Sequence, residues 1–438
     1  PTTATQVDTH PISDDTLPVR RSTSRHKPTP PTPHTPTTCC PRSPNLPPTF
    51  PEEREAKRQA LLDAVESLRD VFVAGADEAE ATGTLPRATV DAIYASGLFS
   101  FKTAAVLGGA EADAMIQLEV IEAASRIEPS AGWCLMIGAG TLSGLAAFLC
   151  DEAIDEIFVG GKAPKAAGVA FPSGIATPVE GGYRVTGKWA FASGIRHSEW
   201  LAFAAMVDDG TPEPSQMVRV VIPTSEARIH DNWHVVGLRG TGSCEFSVSD
   251  VFVPQRFTWG GPEAKPLRGG PNFLLGRPGM QTTGHAGFAL GVGRRALDEV
   301  TDLAQNKKRG YRGTQALVAD RGSFQRFLGE SDLRLRAAKA LCVETIEEAW
   351  ESVCRGITPP STLQIRLRAS GTYSTEEASD IVSQAFRFGG GSAMYSSHIL
   401  QKCLRDIHGA AQHNMVSDRA YENHGQFMLG FPNANPMG

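Results

Sequence analysis

A mostly helical protein with a central β domain is the fold class this sequence predicts, and three observations predict it. Apolar residues recur at helical spacing from Leu61 to Phe72, and again from Phe288 to Val300 and from Leu335 to Ala349, which places them on single helix faces. Between these regions, from about Lys165, the pattern changes to short β-type runs bounded by Gly, Pro and Asp/Asn clusters. The 438 residues, 41% of them hydrophobic, suffice for about three domains and a large core.

Residues 1–52 form a Pro/Thr/Ser-rich stretch with almost no large apolar side chains. Such a segment buries too little surface to offset its ordering entropy and is expected to be disordered. It has no apolar signal-peptide core and does not begin with Met, so a tail, a linker and a mis-set start all stay open.

Residues 53–164 read as a helical domain. A charged helix carrying Leu61, Val65, Leu68 and Phe72 ends near Gly83, and a second follows Leu85-Pro86 through Val90, Ile93 and Leu98. Asp113 is placed to open a third, through Leu118, Ile121 and Ser125. Ala131 to Cys150 carries no charge over about the length of a bilayer span. Its glycines and hydroxyls, with Glu128, Asp151 and Glu152 as flanks, predict a buried helix instead.

Residues 165–262 read as a small antiparallel barrel or sandwich, with runs at 167–171, 183–191, 200–207, 217–222, 234–236 and 244–253. Val179, Tyr183 and Val185 flank Gly181-Gly182 as a hairpin does, and the alternation continues through Trp189 and Phe191 to Ser193. Residues 263–438 predict an antiparallel four-helix bundle. Ser361 with Gln364 has the form of a capping box, Gly389 to Gly391 stops that helix, and a last helix runs from about Ser397 to Met428.

A net charge of -6 leaves no basic footprint, so neither nucleic acid nor a membrane surface is an expected partner, and a small-molecule substrate is. Outside the Cys39-Cys40 pair, the eight cysteines have no metal or redox spacing and indicate a reducing cytoplasm. His408 and His413 are five apart, on different helix faces, so no metal site is expected. Gly291-Val-Gly293-Arg-Arg-Ala296 matches a dinucleotide fingerprint in letters, but its context is helical and predicts a close helix contact. Ser193, between Ala192 and Gly194, is either a turn residue or a hydroxyl that meets a flat ligand.

The wording Gly182-Tyr-Arg-Val-Thr-Gly-Lys-Trp-Ala-Phe-Ala-Ser-Gly194, the loop Gly237-Leu-Arg-Gly-Thr-Gly242, and Arg405-Asp406-Ile-His408 with Gln412-His413 resemble one family. It is the oxygenase branch of two-component flavin-dependent monooxygenases on the acyl-CoA dehydrogenase fold, and the resemblance covers residues 53 to 430. It implies Ser193 beside flavin N5, with Trp189 and Phe191 also at the flavin, and His413 as the catalytic residue facing flavin and substrate. Trp133 and His408 are implied on the substrate side. Arg309 and Arg312, in a turn where Tyr311 replaces the family's Phe, and Gly390 and Gly391 are implied to meet the cofactor.

The implied reaction takes reduced flavin, FMNH2 or FADH2, from a separate NAD(P)H-dependent flavin reductase. Dioxygen and a C4a-hydroperoxyflavin then hydroxylate a small aromatic or phenolic substrate. The family implies a homotetramer. N- or S-oxygenation on the same fold is an alternative, as is an acyl-CoA dehydrogenase, which lacks its glutamate base in Gly409 to His413. A non-catalytic flavin-binding assembly protein is the alternative from another class.

Overall fold

The structure, a computed structural model, describes residues 50–208, 210–211, 216–261, 264–310 and 315–437. Almost all of the Pro/Thr/Ser-rich segment, with Pro262, Tyr311 and Arg312, lies outside the described residues.

The first domain comprises α1 (Arg54–Ser67), α2 (Arg69–Thr82), α3 (Arg87–Ala95), α4 (Ala114–Ile127), α5 (Pro129–Phe148) and α6 (Asp151–Ile157). The expected first helix is thus two, broken at Leu68, and α2 ends on Gly83 at φ 66°, a conformation that suits glycine. Asp113 caps α4 by accepting from Met115 and Ile116 N–H, and Glu128 caps α5 by accepting from Ala131 N–H. Among the described residues α5 is the one helix long and apolar enough to span a bilayer, and it is a core helix, buried along most of its length.

The second domain is one sheet of β1 (Ala166–Val179), β2 (Gly182–Trp189), β3 (Trp200–Val207), β4 (Met217–Pro223), β5 (Arg228–Ile229), β6 (Phe246–Pro254) and β7 (Thr258–Gly260). Its order is β5-β6-β2-β1-β3-β4-β7. β1 and β2 form the expected hairpin, Val179 opposite Gly182. The sheet is not wholly antiparallel, however, because β3 runs parallel to β1. Residues 190–199 turn the chain around at the end of β2, through the short turn Ile195–His197, and that reversal sets the direction of β3. The expected strand at 234–236 is a loop, while β5 and β7 were not expected.

The third domain holds α7 (Gly279–Asn306), the short pair β8 (Lys308–Arg309) and β9 (Ala316–Leu317), α8 (Gly322–Cys354), α9 (Ser361–Gly389), α10 (Ile399–Ala410) and α11 (Arg419–Met428). The glycines of α7 serve close packing on α4, for a Cβ at Gly291 would overlap the Glu122 carbonyl and one at Gly287 would lie 2.6 Å from that of Leu118. The fingerprint-like stretch is therefore a helix contact, as expected.

Two local expectations are corrected. No capping box opens α9, because the Gln364 side chain reaches instead to Leu275 carbonyl and Gly279 N–H and staples α9 to the start of α7. The last helix is broken over residues 411–418. Buried Arg368 of α9 compensates by donating to the loose carbonyls of Asn414 (2.8 Å) and Met415 (3.4 Å).

Candidate active site

Beyond Trp189 the chain leaves the sheet by a turn that places Ser193. Phe191 is held at φ 66°, a left-handed conformation that costs a non-glycine residue energy and is kept only where surroundings enforce it. Here Ala192 N–H donates to Cys244 carbonyl and Gly194 N–H to Thr241 carbonyl (2.8 Å), so the turn is stitched to residues 241–244.

The buried Ser193 hydroxyl lies 3.1 Å from Trp133 Nε1 and 2.7 Å from Ser243 Oγ, and Ser243 Oγ lies 2.6 Å from Thr241 Oγ1. Thr241 donates its proton to the Leu238 carbonyl at 2.8 Å. A carbonyl only accepts and an indole N–H only donates, while each hydroxyl has one proton. The direction of every link follows: Trp133 donates to Ser193, Ser193 to Ser243, Ser243 to Thr241, and Thr241 to Leu238. Ser193 is left with one open lone pair and no free proton.

Trp133 of α5 is walled by α7 and by the break after α10. Its ring centroid is 5.0 Å from Phe288, 5.6 Å from His285 and 6.1 Å from His413, all edge-on, and the two histidine rings are 4.4 Å apart. Burial, with Arg277 adding to it, lowers the pKa of His413 to about 4. His285 is pushed well below its ordinary value by burial, then by His413 and Lys102. Both rings are neutral at pH 7. Met415 N–H donates to His413 Nδ1 at 3.2 Å, so the neutral ring carries its proton on Nε2.

A second, charged network backs the first. Lys402 Nζ lies 2.8 Å from Asp406, 3.0 Å from Glu128 and 3.2 Å from Glu80, and Arg405 pairs with Glu80 at 2.7 Å. Asp406 Oδ1 accepts from Leu238 N–H at 2.6 Å. The two networks meet on Leu238.

Of the residues expected at the site, the structure brings together Ser193, Trp133 and His413. Phe191 stands at the surface, 72% exposed, with its ring edge-on to Trp233 at 6.2 Å. Trp189 is a correction: it is fully buried within the sheet domain, its Nε1 donates to Ala204 carbonyl and its ring packs on Phe203 and Phe246, so it has no surface to offer a cofactor. Gly174 and Gly187 supply the hole its indole fills.

His408 is a second correction, since it takes no part in the ring cluster and instead meets Ser383 Oγ at 3.0 Å in an exposed position. Arg309 and the 389–392 turn do meet each other. A Cβ on Gly390, which has φ 57°, would overlap the Arg309 guanidinium, and Lys307 Nζ bonds Gly389 carbonyl and Ser392 Oγ, with Gly391 between them. Yet His285 and Asn306 lie 21 residues apart on α7, which is roughly 30 Å at about 1.5 Å per residue.

Sequence reading missed His285, Ser243 and Thr241. His285 lies three residues before Phe288, on the stripe that identified α7, and a histidine on an apolar stripe was the available signal. No group of metal-ligating side chains occurs among the described residues.

The family model for the acyl-CoA dehydrogenase C-terminal domain matches residues 283–418. Indole-3-acetate monooxygenase of Pseudomonas putida is 32% identical, over 85% of this chain and 93% of that protein. The oxygenase component of an FADH2-dependent resorcinol hydroxylase from Rhizobium sp. is 28% identical, over 84% of this chain and 94% of its own. The solved structure of XiaF from Streptomyces sp., in complex with FADH2 and glycerol, superposes with a TM-score of 0.77 at 28% identity, covering 85% of this chain and 96% of that one.

Proposed function

The chain belongs to the flavin-dependent monooxygenases of the acyl-CoA dehydrogenase superfamily, and we propose that it is the oxygenase component of a two-component system hydroxylating a small aromatic substrate. A separate NAD(P)H-dependent reductase delivers the reduced flavin, which when bound supplies the electrons that activate dioxygen. FADH2 is the form named for two relatives, and FMNH2 is the alternative.

The observation that carries this reading is the one-way hydrogen-bond chain ending at Ser193. Its open lone pair suits a donor, and N5 of a flavin carries a proton only in the reduced state. The chain thus fits a site for reduced flavin better than one for oxidised flavin. His413, neutral with its proton on Nε2, holds a donor toward a substrate oxygen, with His285 beside it. Trp133 fixes Ser193 and, with Phe288, forms an apolar wall against water.

An acyl-CoA dehydrogenase needs a carboxylate to take an α-proton. Trp133, Ser193, His285, Phe288 and His413 include none, and Glu422 sits in the separate helix α11. Because Arg309 and the turn at Gly390 meet beyond the end of α7 that is remote from His285, they serve the flavin of a neighbouring copy in a homotetramer. The six described cysteines are free, which suits a reducing cytoplasm.

Rapid mixing tests the proposal. Protein loaded with FADH2 and mixed with dioxygen should delay the return of oxidised-flavin absorbance relative to free FADH2, and should release hydroxylated product from an aromatic acceptor. Oxidation at the free-flavin rate, with all oxygen recovered as hydrogen peroxide, would overturn it.

A further inference from the structure

We propose that Gln281 is a specificity-determining residue of the substrate site, and that its side-chain amide holds a second ring hydroxyl of the aromatic substrate. The inference rests on the oxygenase reading and narrows its substrate class.

Gln281 stands in the first turn of α7. Helical periodicity puts Gln281, Gly284, His285 and Phe288 on one face of that helix. The contacts identify what the face meets: His285 and Phe288 pack on Trp133 of α5, and a Cβ at Gly284 would lie 2.6 Å from Met136 of α5. The residues after Gln281 turn elsewhere, Thr282 toward Gly371 of α9 and Thr283 toward Gln117 of α4.

α5 and α7 thus pass each other in opposite directions, with Trp133 beside His285 and Phe288 and Met136 beside Gly284. One turn further, Gln281 comes level with Gly140, which is exposed and has no atom within 4 Å of a Cβ position. Gly144, another turn along α5, is equally open. Space beside Gln281 is therefore continuous with the Trp133 cluster along one side of α5.

The Gln281 Oε1 is buried and has no hydrogen-bond partner among the described residues. Two other glutamines beside the start of α7 are paired at both ends. Gln117 donates to Ala112 carbonyl and Asn272 Oδ1 and accepts from Thr283, while Gln364 donates to Leu275 carbonyl and accepts from Gly279 N–H. A buried amide oxygen without a donor is costly, and a ligand that brings the donor recovers the loss.

The two polar ends of the site describe that ligand. His413 presents Nε2–H, its ring packs on His285, and Gln281 lies one helical turn, about 6 Å, from His285. That separation is close to the width of a six-membered ring. A hydroxyl both donates and accepts, and so does a carboxamide, so a ring hydroxyl satisfies Gln281 in either orientation of its amide. The ligand is a ring with one oxygen at His413 and a second hydroxyl across the ring at Gln281.

Anaerobic titration of the FADH2-loaded full chain with resorcinol, hydroquinone, their monomethyl ethers and phenol tests this. The better-bound diol should bind at least about tenfold tighter than phenol, which lacks the second hydroxyl, and than its own ether, which lacks the proton. Gln281→Leu should abolish that preference while leaving phenol affinity within about threefold, and Gln281→Glu should keep part of it. Without ligand, Gln281→Leu should leave the thermal midpoint unchanged or raised, because the amide oxygen has no partner to lose. No diol preference in the unaltered protein, a preference that survives Gln281→Leu, or a lowered midpoint or failure to fold in Gln281→Leu, would each overturn the assignment. Failure of the oxygenase reading is separately visible, as unprotected oxidation of FADH2.

Discussion

Two buried polar networks meet at Leu238, and they differ in what they leave unfinished. The charged one, Glu80, Glu128, Lys402, Arg405 and Asp406, joins α2, the start of α5, the 236–238 loop and α10. Its groups are spent on one another: Lys402 faces three carboxylates, Arg405 holds Glu80 and the Val236 carbonyl, and Glu128 also caps α5. The uncharged one, from Trp133 to the Leu238 carbonyl, ends with a lone pair on Ser193 that nothing among the described residues fills. Completed pairing marks a structural clamp, and an incomplete hydrogen bond marks a place for a ligand.

Substitutions that strike one network and spare the other sharpen this contrast. Lys402→Met removes the ammonium that three carboxylates share, leaving Glu128 and Asp406 without a cation, and should cost about 3–5 kcal/mol in denaturant-induced unfolding, as breaking buried ion pairs does. A loss below about 1 kcal/mol would mean the pairing is loose. Beside the other network, where its ring packs edge-on to Trp133, His413→Ala should reduce product formed per dioxygen consumed by about 10²-fold while FADH2 affinity changes little, a split readable by oxygen electrode and titration. Unchanged coupling would remove His413 from the chemistry.

Thr241→Val has a smaller expected effect. It breaks the directional chain at its anchor, frees Ser243 to reverse, and should lower the FADH2-to-FAD affinity ratio by about three- to tenfold, equivalent to one modest hydrogen bond. A ratio unaffected in Thr241→Val but reduced in Ser193→Ala would show that the proton direction is set elsewhere. The smallest effect concerns pH. His197 and His413, each at about 4, and His285, also lowered, bind protons more readily when unfolded, near 6.5. Their neutral forms therefore contribute stability that is complete above pH 6.5 and declines as pH falls toward 4. Thermal midpoints should drop over that window, and His413→Asn should flatten part of the drop.

Local signals carried much of the fold. Asp113 capping α4, Gly83 ending α2, Gly181 turning the β1–β2 hairpin and the helical stripes of α7 and α8 are each written within a few residues. What stayed hidden depends on partners distant in sequence. The break after α10 is made tolerable by Arg368, some 46 residues away. Period-2 alternation runs through Trp189 to Phe191, but only the tertiary structure shows that Gly174 and Gly187 draw Trp189 into the core while a left-handed Phe191 turns outward.

The site was partly legible for the same reason. Ser193 and His413 stand in motifs that resemble the family's wording, whereas His285 and Ser243 become notable only once α5 and α7 meet and the Ser193 turn packs on residues 241–244.

Leu238 also imposes an order on the making of the protein. Its carbonyl anchors the serine chain, while its N–H finds its carboxylate only in Asp406, 168 residues further on. A nascent chain has therefore synthesised the whole sheet and most of the bundle before the peptide that orients Ser193 acquires its final partner. A product truncated before α10 would retain every hydroxyl of that chain and lack the contact that holds its last link.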